Sequence, residues 1–237
     1  MNTYSSPTNQ QLQAVVQQQI RLREEVIKHD VLPSPVRTVA GVDVAYAKEA
    51  NRLVAAVAVL DAQTLELLQV ESYQGEATFP YIPGLFSFRE LPAVLEALKK
   101  LAAPPDLMVC DGQGLAHPRR FVLACHLGVA TGIPTIGCAK TRLLGEHGPL
   151  GVTRGDYQNL VDNDEVVGRA LRTQTGKNPL FISVGHKVSL ATATEWVLRL
   201  ALAYRLPETT RAADHAVNTL LQQYSVVAEA KDTLKNF

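Results

Sequence analysis

The apolar run Leu107-Met108-Val109-Cys110, preceded by Pro104-Pro105 and ending on Asp111, constrains this chain more than any other stretch. Four consecutive apolar residues bounded by turn signals predict a fully buried strand. Asp111 then falls at the carboxyl end of a central strand, where open α/β sheets place their ligands. Gly112-Gln113-Gly114-Leu115-Ala116-His117-Pro118-Arg119-Arg120 follows. Its glycines let backbone approach a substrate closely. A carboxylate, a histidine and two guanidiniums on one loop suit a phosphate ester and its metal. Taken alone, the loop is better read as a capping Asp before a Gly-rich turn. The rest of the chain changes that balance.

The 237 residues, 46% hydrophobic and 19% charged, allow one α/β domain with a sizeable core, and we take positions 1–237 as that domain. Lys plus Arg and Asp plus Glu both total 23, so net charge names no partner. Cys110, Cys125 and Cys138 have no zinc spacing, and their apolar surroundings predict buried thiols in a reducing cytoplasm. No apolar run reaches transmembrane length and the polar start is no signal peptide, so no membrane is expected.

In chain order, the residues up to Thr8 are expected to fray, and Gln10 to His29 has helical apolar spacing. Strands are predicted from Thr38 to Tyr46, from Arg52 to Leu60 and from Leu65 to Tyr73, the last two joined by a turn at Asp61 to Thr64. Three strands without helices predict an antiparallel start to a mixed sheet. Phe79-Pro80-Tyr81-Ile82-Pro83-Gly84 is a stiff loop carrying an aromatic. Ser87 and Glu90 have capping-box spacing, while Pro92 favours a helix starting there. After the central strand come a helix from Phe121 to Thr131 stopped by Gly132, a strand running into Lys140, and an irregular insertion over 141–163. Strands at Val166 to Arg172 and Leu180 to Val184, a Ser189-capped helix to Tyr204, a helix from Thr210 to Leu221 and a loose tail from Ser225 complete the chain.

Asp43 is out of place in a buried strand, because Asp is depleted there and rarely buried without a partner. If the first strand neighbours the fourth, Asp43 and Asp111 converge, and two such acids repel unless a cation is present. A salt bridge from Asp43 to a nearby arginine is the competing reading.

Val42-Asp43-Val44-Ala45-Tyr46, Pro80-Tyr81-Ile82-Pro83-Gly84, Phe88-Arg89-Glu90, Asp111-Gly112-Gln113-Gly114 with His117-Pro118-Arg119, and Gly137-Cys138-Ala139-Lys140 occur in one order. With Gly185-His186-Lys187 and Arg205 to Arg211, this ordered set resembles the endonuclease V family, the deoxyinosine 3′ endonucleases of DNA repair. The resemblance implies a ribonuclease H-like fold, a mixed central sheet flanked by helices. It also implies cleavage of the second phosphodiester 3′ to a hypoxanthine nucleotide, leaving a 3′-hydroxyl and a 5′-phosphate. Mg²⁺ is the implied cofactor, with Mn²⁺ as a substitute. Asp43 and Asp111 match its metal ligands and Glu90 its third acid. His117 matches a residue that orients water or steadies the leaving side, and Lys140 one that neutralises phosphate.

Tyr81, held by Pro80 and Pro83, matches the strand-separating wedge, with Ile82 on the same loop. Gly84 and Gly112 are expected in the base pocket. Arg119, Arg120, Arg142, Arg169, Arg172, Lys177 and Lys187 are candidate phosphate contacts, each better read singly as a solvated charge. His186, Asp214 and His215 stay outside the expected metal shell. The expected partner is deaminated DNA, acted on by a monomer. Two other readings remain open. One is a nuclease of the same fold acting on inosine in RNA or on branched and mismatched DNA. The other is a binding module without catalysis.

Overall fold

The computed structural model describes residues 7–47 and 51–235, with side chains described as far as 223. Its eight strands are β1 (Thr38–Tyr46), β2 (Arg52–Asp61), β3 (Leu67–Glu76), β4 (Leu107–Asp111), β5 (Thr135–Ala139), β6 (Tyr157–Asp162), β7 (Glu165–Leu171) and β8 (Leu180–His186). They form one mixed sheet in the order β3-β2-β1-β4-β5-β8-β7-β6. Strands β1, β2 and β3 pair antiparallel, as their helix-free succession predicts. Strand β4 lies between β1 and β5, parallel to both. Antiparallel β8, β7 and β6 complete the far side.

The helices are α1 (Asn9–Arg23), α2 (Phe86–Leu98), α3 (Leu123–Thr131), α4 (Leu190–Leu200) and α5 (Glu208–Lys235). Alternation along the central strands divides the core into two layers. Val39, Leu107 and Val109 pack with Val197 of α4 and Ala213 of α5. Ala40, Val42, Met108 and Cys110 face the other way, onto Leu91 and Val94 of α2 and Leu127 of α3. The three cysteines are buried and free. Among the described residues, no helix is long and apolar enough to cross a membrane.

Several boundaries differ from the sequence expectation. Thr8 forms a capping box with Gln11 at the start of α1, which stops at Arg23 rather than His29; positions 1–6 lie outside the described residues. Helix α2 begins at Phe86 and carries Pro92 in its interior, with Leu85 rather than Ser87 at its N-cap. An interior proline costs about 3 kcal/mol. The first turn persists because Phe88 packs its ring against His126, tilted 60° with centroids 4.6 Å apart, and Arg89 donates to the Phe79 carbonyl. The capping role considered for Glu90 is therefore absent. Strand β6 lies inside the stretch expected to be irregular. It is an edge strand paired through its backbone, with Leu160 its buried side chain, so its sequence shows no apolar alternation. Asn163 and Asp164, both at positive φ, make the tight turn into β7. Helix α4 is capped by Ser189 as expected, but ends at Leu200. Helix α5 runs past Leu221 to Lys235, through most of the stretch expected to be a loose tail from Ser225; side chains beyond 223, and positions 236–237, lie outside the described residues.

Candidate active site

The parallel register pairs Val42 with Cys110, so the next residues, Asp43 and Asp111, emerge side by side on one sheet face. Asp111 in turn pairs with Cys138 of β5, and Lys140 follows two residues later. Its Nζ lies 2.5 Å from Asp111 Oδ2 and 3.9 Å from Asp214 Oδ1 on α5. Asp214 thus reaches the cluster, a placement the sequence reading did not make. No arginine pairs with Asp43 among the described ion pairs; its Oδ1 accepts the Val44 backbone N–H at 2.8 Å.

These acids carry more negative charge than Lys140 balances. Burial, and then the Asp111 charge, push the Asp43 carboxyl up to about 7. Glu90 is also pushed up to about 7, by burial first and by the charges of Asp43 and Asp111, although a hydrogen bond from the Tyr46 hydroxyl at 2.9 Å opposes the rise. Burial alone would lower the Lys140 pKa. Its bond to Asp111 and the charges of Asp43 and Asp214 raise it instead. A shared proton or a cation relieves such a cluster. Among the described residues, no three His, Cys, Asp or Glu side chains stand ready to hold an ion. The Asp43–Asp111 pair, undercompensated and made of hard oxygen donors, fits a hard divalent cation that takes one or two carboxylates.

That charge state has a measurable consequence. A carboxyl whose folded pKa exceeds its unfolded value binds more protons when folded, so its contribution to stability falls as pH rises. For Asp43 the window runs from about 4 to about 7. His117 and His126, each pushed down to about 4 with burial as the leading cause, contribute the opposite slope between about 4 and 6.5. The signal is therefore the difference between wild type and Asp43→Asn. Without divalent cation, wild type should lose melting temperature relative to the variant as pH rises through this window. Saturating Mg²⁺ should remove the loss, and a pH-independent difference would contradict the charge state.

The Pro80–Leu85 loop leads into α2, the helix that carries Glu90. Ile82-Pro83-Gly84-Leu85 is a β-turn, with the Leu85 N–H donating to the Ile82 carbonyl at 2.9 Å and Gly84 at φ +79°. Pro followed by Gly presets this turn. It leaves Tyr81, between Pro80 and Ile82, 73% exposed. A core role for that tyrosine is excluded. At Gly112, a Cβ would meet nothing within 4 Å, which leaves space for a ligand. His117 is 2% exposed, so it is no solvated loop histidine. Its Nδ1 accepts the Arg119 backbone N–H at 3.1 Å, so the neutral ring carries its proton on Nε2. That nitrogen lies 3.3 Å from where a Cβ at Gly84 would stand.

Several basic candidates have internal partners. Arg120 pairs with Asp162 at 2.6 Å and Glu165 at 2.7 Å, Arg142 with Glu146 at 2.7 Å, and Lys187 donates to the Gly132 carbonyl at 2.7 Å. Arg119 donates to the Gly84 carbonyl at 2.7 Å. His186 is structural, accepting the Ile27 N–H at 3.2 Å. Cys110 is buried beside Asp111, and burial raises its thiol pKa, so it is no nucleophile.

The family model for endonuclease V matches residues 20–215. The chain belongs to the endonuclease V family. The endonuclease V of Roseiflexus castenholzii is 53% identical over 196 residues, covering 83% of this chain and 87% of that protein. The crystal structure of the Streptomyces avermitilis endonuclease V superposes with a TM-score of 0.87 at 46% identity, covering 95% of this chain and 98% of that one. The Ciona intestinalis endonuclease V, crystallised with a 24mer DNA containing an inosine followed by a ribo-adenosine, superposes at 0.81 with 28% identity, over 91% and 100% of the two chains. This chain is accordingly a DNA repair endonuclease with the ribonuclease H-like mixed sheet of endonucleases V, a metal-dependent family. The acids, Tyr81, His117 and Lys140 all lie within the matched residues.

Proposed function

We propose that this endonuclease V acts on DNA containing deoxyinosine, and hydrolyses the second phosphodiester 3′ to the hypoxanthine nucleotide with Mg²⁺ as its cofactor and Mn²⁺ as a substitute. The observation that carries the reading is the juxtaposition of Asp43 within β1, Asp111 at the end of β4 and Lys140 just past β5, where these strands run parallel. When bound, the cation supplies Lewis-acid stabilisation of phosphoryl charge and lowers the pKa of water. Asp43 and Asp111 would hold it, and Glu90, which accepts from the Tyr46 hydroxyl at 2.9 Å, is the third acid of the cluster rather than a preset ligand.

Lys140 sits where its ammonium neutralises phosphate charge. The Asp111 carboxylate keeps that ammonium protonated and aimed at the site. His117, neutral and buried, offers one N–H from Nε2 beside Gly84. It therefore acts as a hydrogen-bond donor rather than a cation. Gly112, open where a Cβ would stand, lines the space for the extruded base, Gly84 borders it from the turn that Arg119 backs, and the Pro80–Pro83 segment presents Tyr81 and Ile82 to the stack. Extruding a base costs a few kcal/mol of unstacking, which an inserted aromatic helps offset. We further propose that the whole chain acts as one catalytic unit, monomeric and cytoplasmic.

Substrate identity is tested with one sequence in three forms: a duplex carrying one deoxyinosine, the same duplex with deoxyadenosine, and an RNA strand carrying inosine. Cutting confined to the deoxyinosine strand, leaving a 3′-hydroxyl and a 5′-phosphate, is the expected result. Cutting of the RNA alone would overturn the DNA assignment and leave the mechanism standing.

Tyr81 supplies a separate check. Stacking of one base on an aromatic contributes about 1–3 kcal/mol. Tyr81→Ala should weaken lesion-duplex binding by that amount in a fluorescence anisotropy titration. Its melting temperature should not change, because the ring is 73% exposed. Undiminished binding would remove the wedge role.

A further inference from the structure

Helix α1 carries apolar residues such as Leu12, Val16, Ile20 and Leu22, yet its fully buried residue is an amide, Gln19, at 0% exposure. A buried amide must spend its hydrogen-bonding groups, and this one spends them on the substrate loops. Gln19 Nε2 donates to the Gly84 carbonyl at 3.0 Å and to the Phe121 carbonyl at 2.6 Å. Its Oε1 accepts from Arg119 Nε. Arg119 Nη2 donates to the same Gly84 carbonyl at 2.7 Å. That carbonyl, with two lone pairs, is then fully used. Arg119 also ties in the His117 ring through its backbone N–H.

Three segments far apart in sequence, α1, the Ile82–Leu85 turn and the loop after β4, are thus joined at one carbonyl. Gly84 ends the segment that presents Tyr81, and its φ of +79° admits few other residues. Arg119 closes the remaining space, because a Cβ at Gly84 would stand 2.5 Å from its Nη2. A wedge entering a base stack works only if its base does not yield. A loop ordered beforehand also avoids the entropy cost of ordering on binding.

We infer that Gln19 and Arg119 clamp the Gly84 carbonyl to fix the wedge turn, making Gln19 a positioning residue for opening duplex DNA at the lesion. The inference rests on the proposed wedge role of Tyr81 and extends it to Gln19 on α1, just ahead of the residues matched to the family. It also assigns Arg119 to the protein's own loop rather than to phosphate.

A clamp of this kind matters when a base must be pulled from a duplex, and much less when the strand is already single. The experiment compares kcat/KM on a deoxyinosine duplex with kcat/KM on the same lesion in single-stranded DNA, using the full chain with Mg²⁺. Any unfolded fraction lowers both rates alike and leaves their ratio untouched. Misplacing a positioning group typically costs tenfold to a hundredfold. Gln19→Ala should lower the duplex-to-single-strand ratio about tenfold. Gln19→Glu keeps an acceptor for Arg119 but offers no N–H to either carbonyl, and should lower the ratio at least as far. Arg119→Lys gathers its donors on one nitrogen and loses the fork that reaches Gln19 and Gly84 together, so it should fall between wild type and Gln19→Ala. It carries the test should the Gln19 variants not fold. With a fluorescent 2-aminopurine beside the lesion, Gln19→Ala should also show a smaller unstacking signal on binding. Variants with the wild-type ratio and signal, whatever their melting temperatures, would overturn the clamp. A wild-type protein that cuts neither substrate would instead overturn the functional reading beneath it.

Discussion

Asp43→Asn and Asp111→Asn should each abolish most lesion cleavage while leaving lesion binding largely intact. Loss of one preorganised charge-stabilising group commonly costs 10²–10³ in kcat, and loss of a carboxylate that seats the cation should cost about that or more. Single-turnover cleavage of a deoxyinosine duplex gives the rate, and anisotropy in Ca²⁺ gives the binding. The two substitutions should differ in stability. Asp43 is a half-buried acid pushed up to about 7 by burial and by Asp111, so replacing it removes a buried charge and should raise the melting temperature at pH 8 without divalent cation. Asp111→Asn instead removes the partner of Lys140 at 2.5 Å and should bring no comparable gain. A variant that loses activity and gains stability marks a position kept for chemistry rather than folding. If Asp43→Asn were both active and less stable, the acid would be structural.

Gly41→Ala should damage the protein without touching an ionisable group. Gly41 is on β1, two residues before Asp43, and faces the start of α5. A Cβ there would stand 1.8 Å from the Thr209 carbonyl oxygen and 2.2 Å from its carbon. Both neighbours are backbone, so no side-chain rotation relieves the clash. Strand β1 is held between β2 and β4, so α5 is the element that must move. Overpacking of this kind costs about 1–3 kcal/mol or more, roughly 2–12 °C in melting temperature for a chain of this size. Displacing α5 also draws Asp214 away from Lys140. Cleavage should therefore fall even at temperatures where the variant is folded. Gly148→Ala, where a Cβ would meet nothing within 4 Å, is the matching control and should leave melting unchanged.

The acids at the centre were legible because burial and charge conflict there. An Asp in an apolar strand and another at the end of a second one are costly without a cation, and β1 does pair with β4. The Pro-bounded Tyr81 was legible for a related reason, since two prolines and a glycine hold an aromatic off the surface. The start of α2 was hidden by Pro92, whose local preference is outweighed by contacts of Phe88 and Arg89 with distant residues. Strand β6 was hidden because an edge strand needs backbone partners more than apolar side chains. Asp214 was left outside because its approach depends on how closely α5 packs on Gly41, which no local pattern encodes. Gln19 carried no signal at all. In a Gln-rich helix it reads as one more solvated amide, and only the folded chain shows it meeting Gly84, Arg119 and Phe121.

The most direct test of the central claim is nucleotide-resolution mapping of the nick in a duplex carrying one deoxyinosine, with Mg²⁺, with EDTA, and with EDTA followed by excess Mg²⁺. We predict one cut at the second phosphodiester 3′ to the lesion, absent in EDTA and restored by the added Mg²⁺. A cut that persists in EDTA, or one at an undamaged position, would contradict the account of Asp43 and Asp111 as the seat of a cation serving lesion-directed hydrolysis.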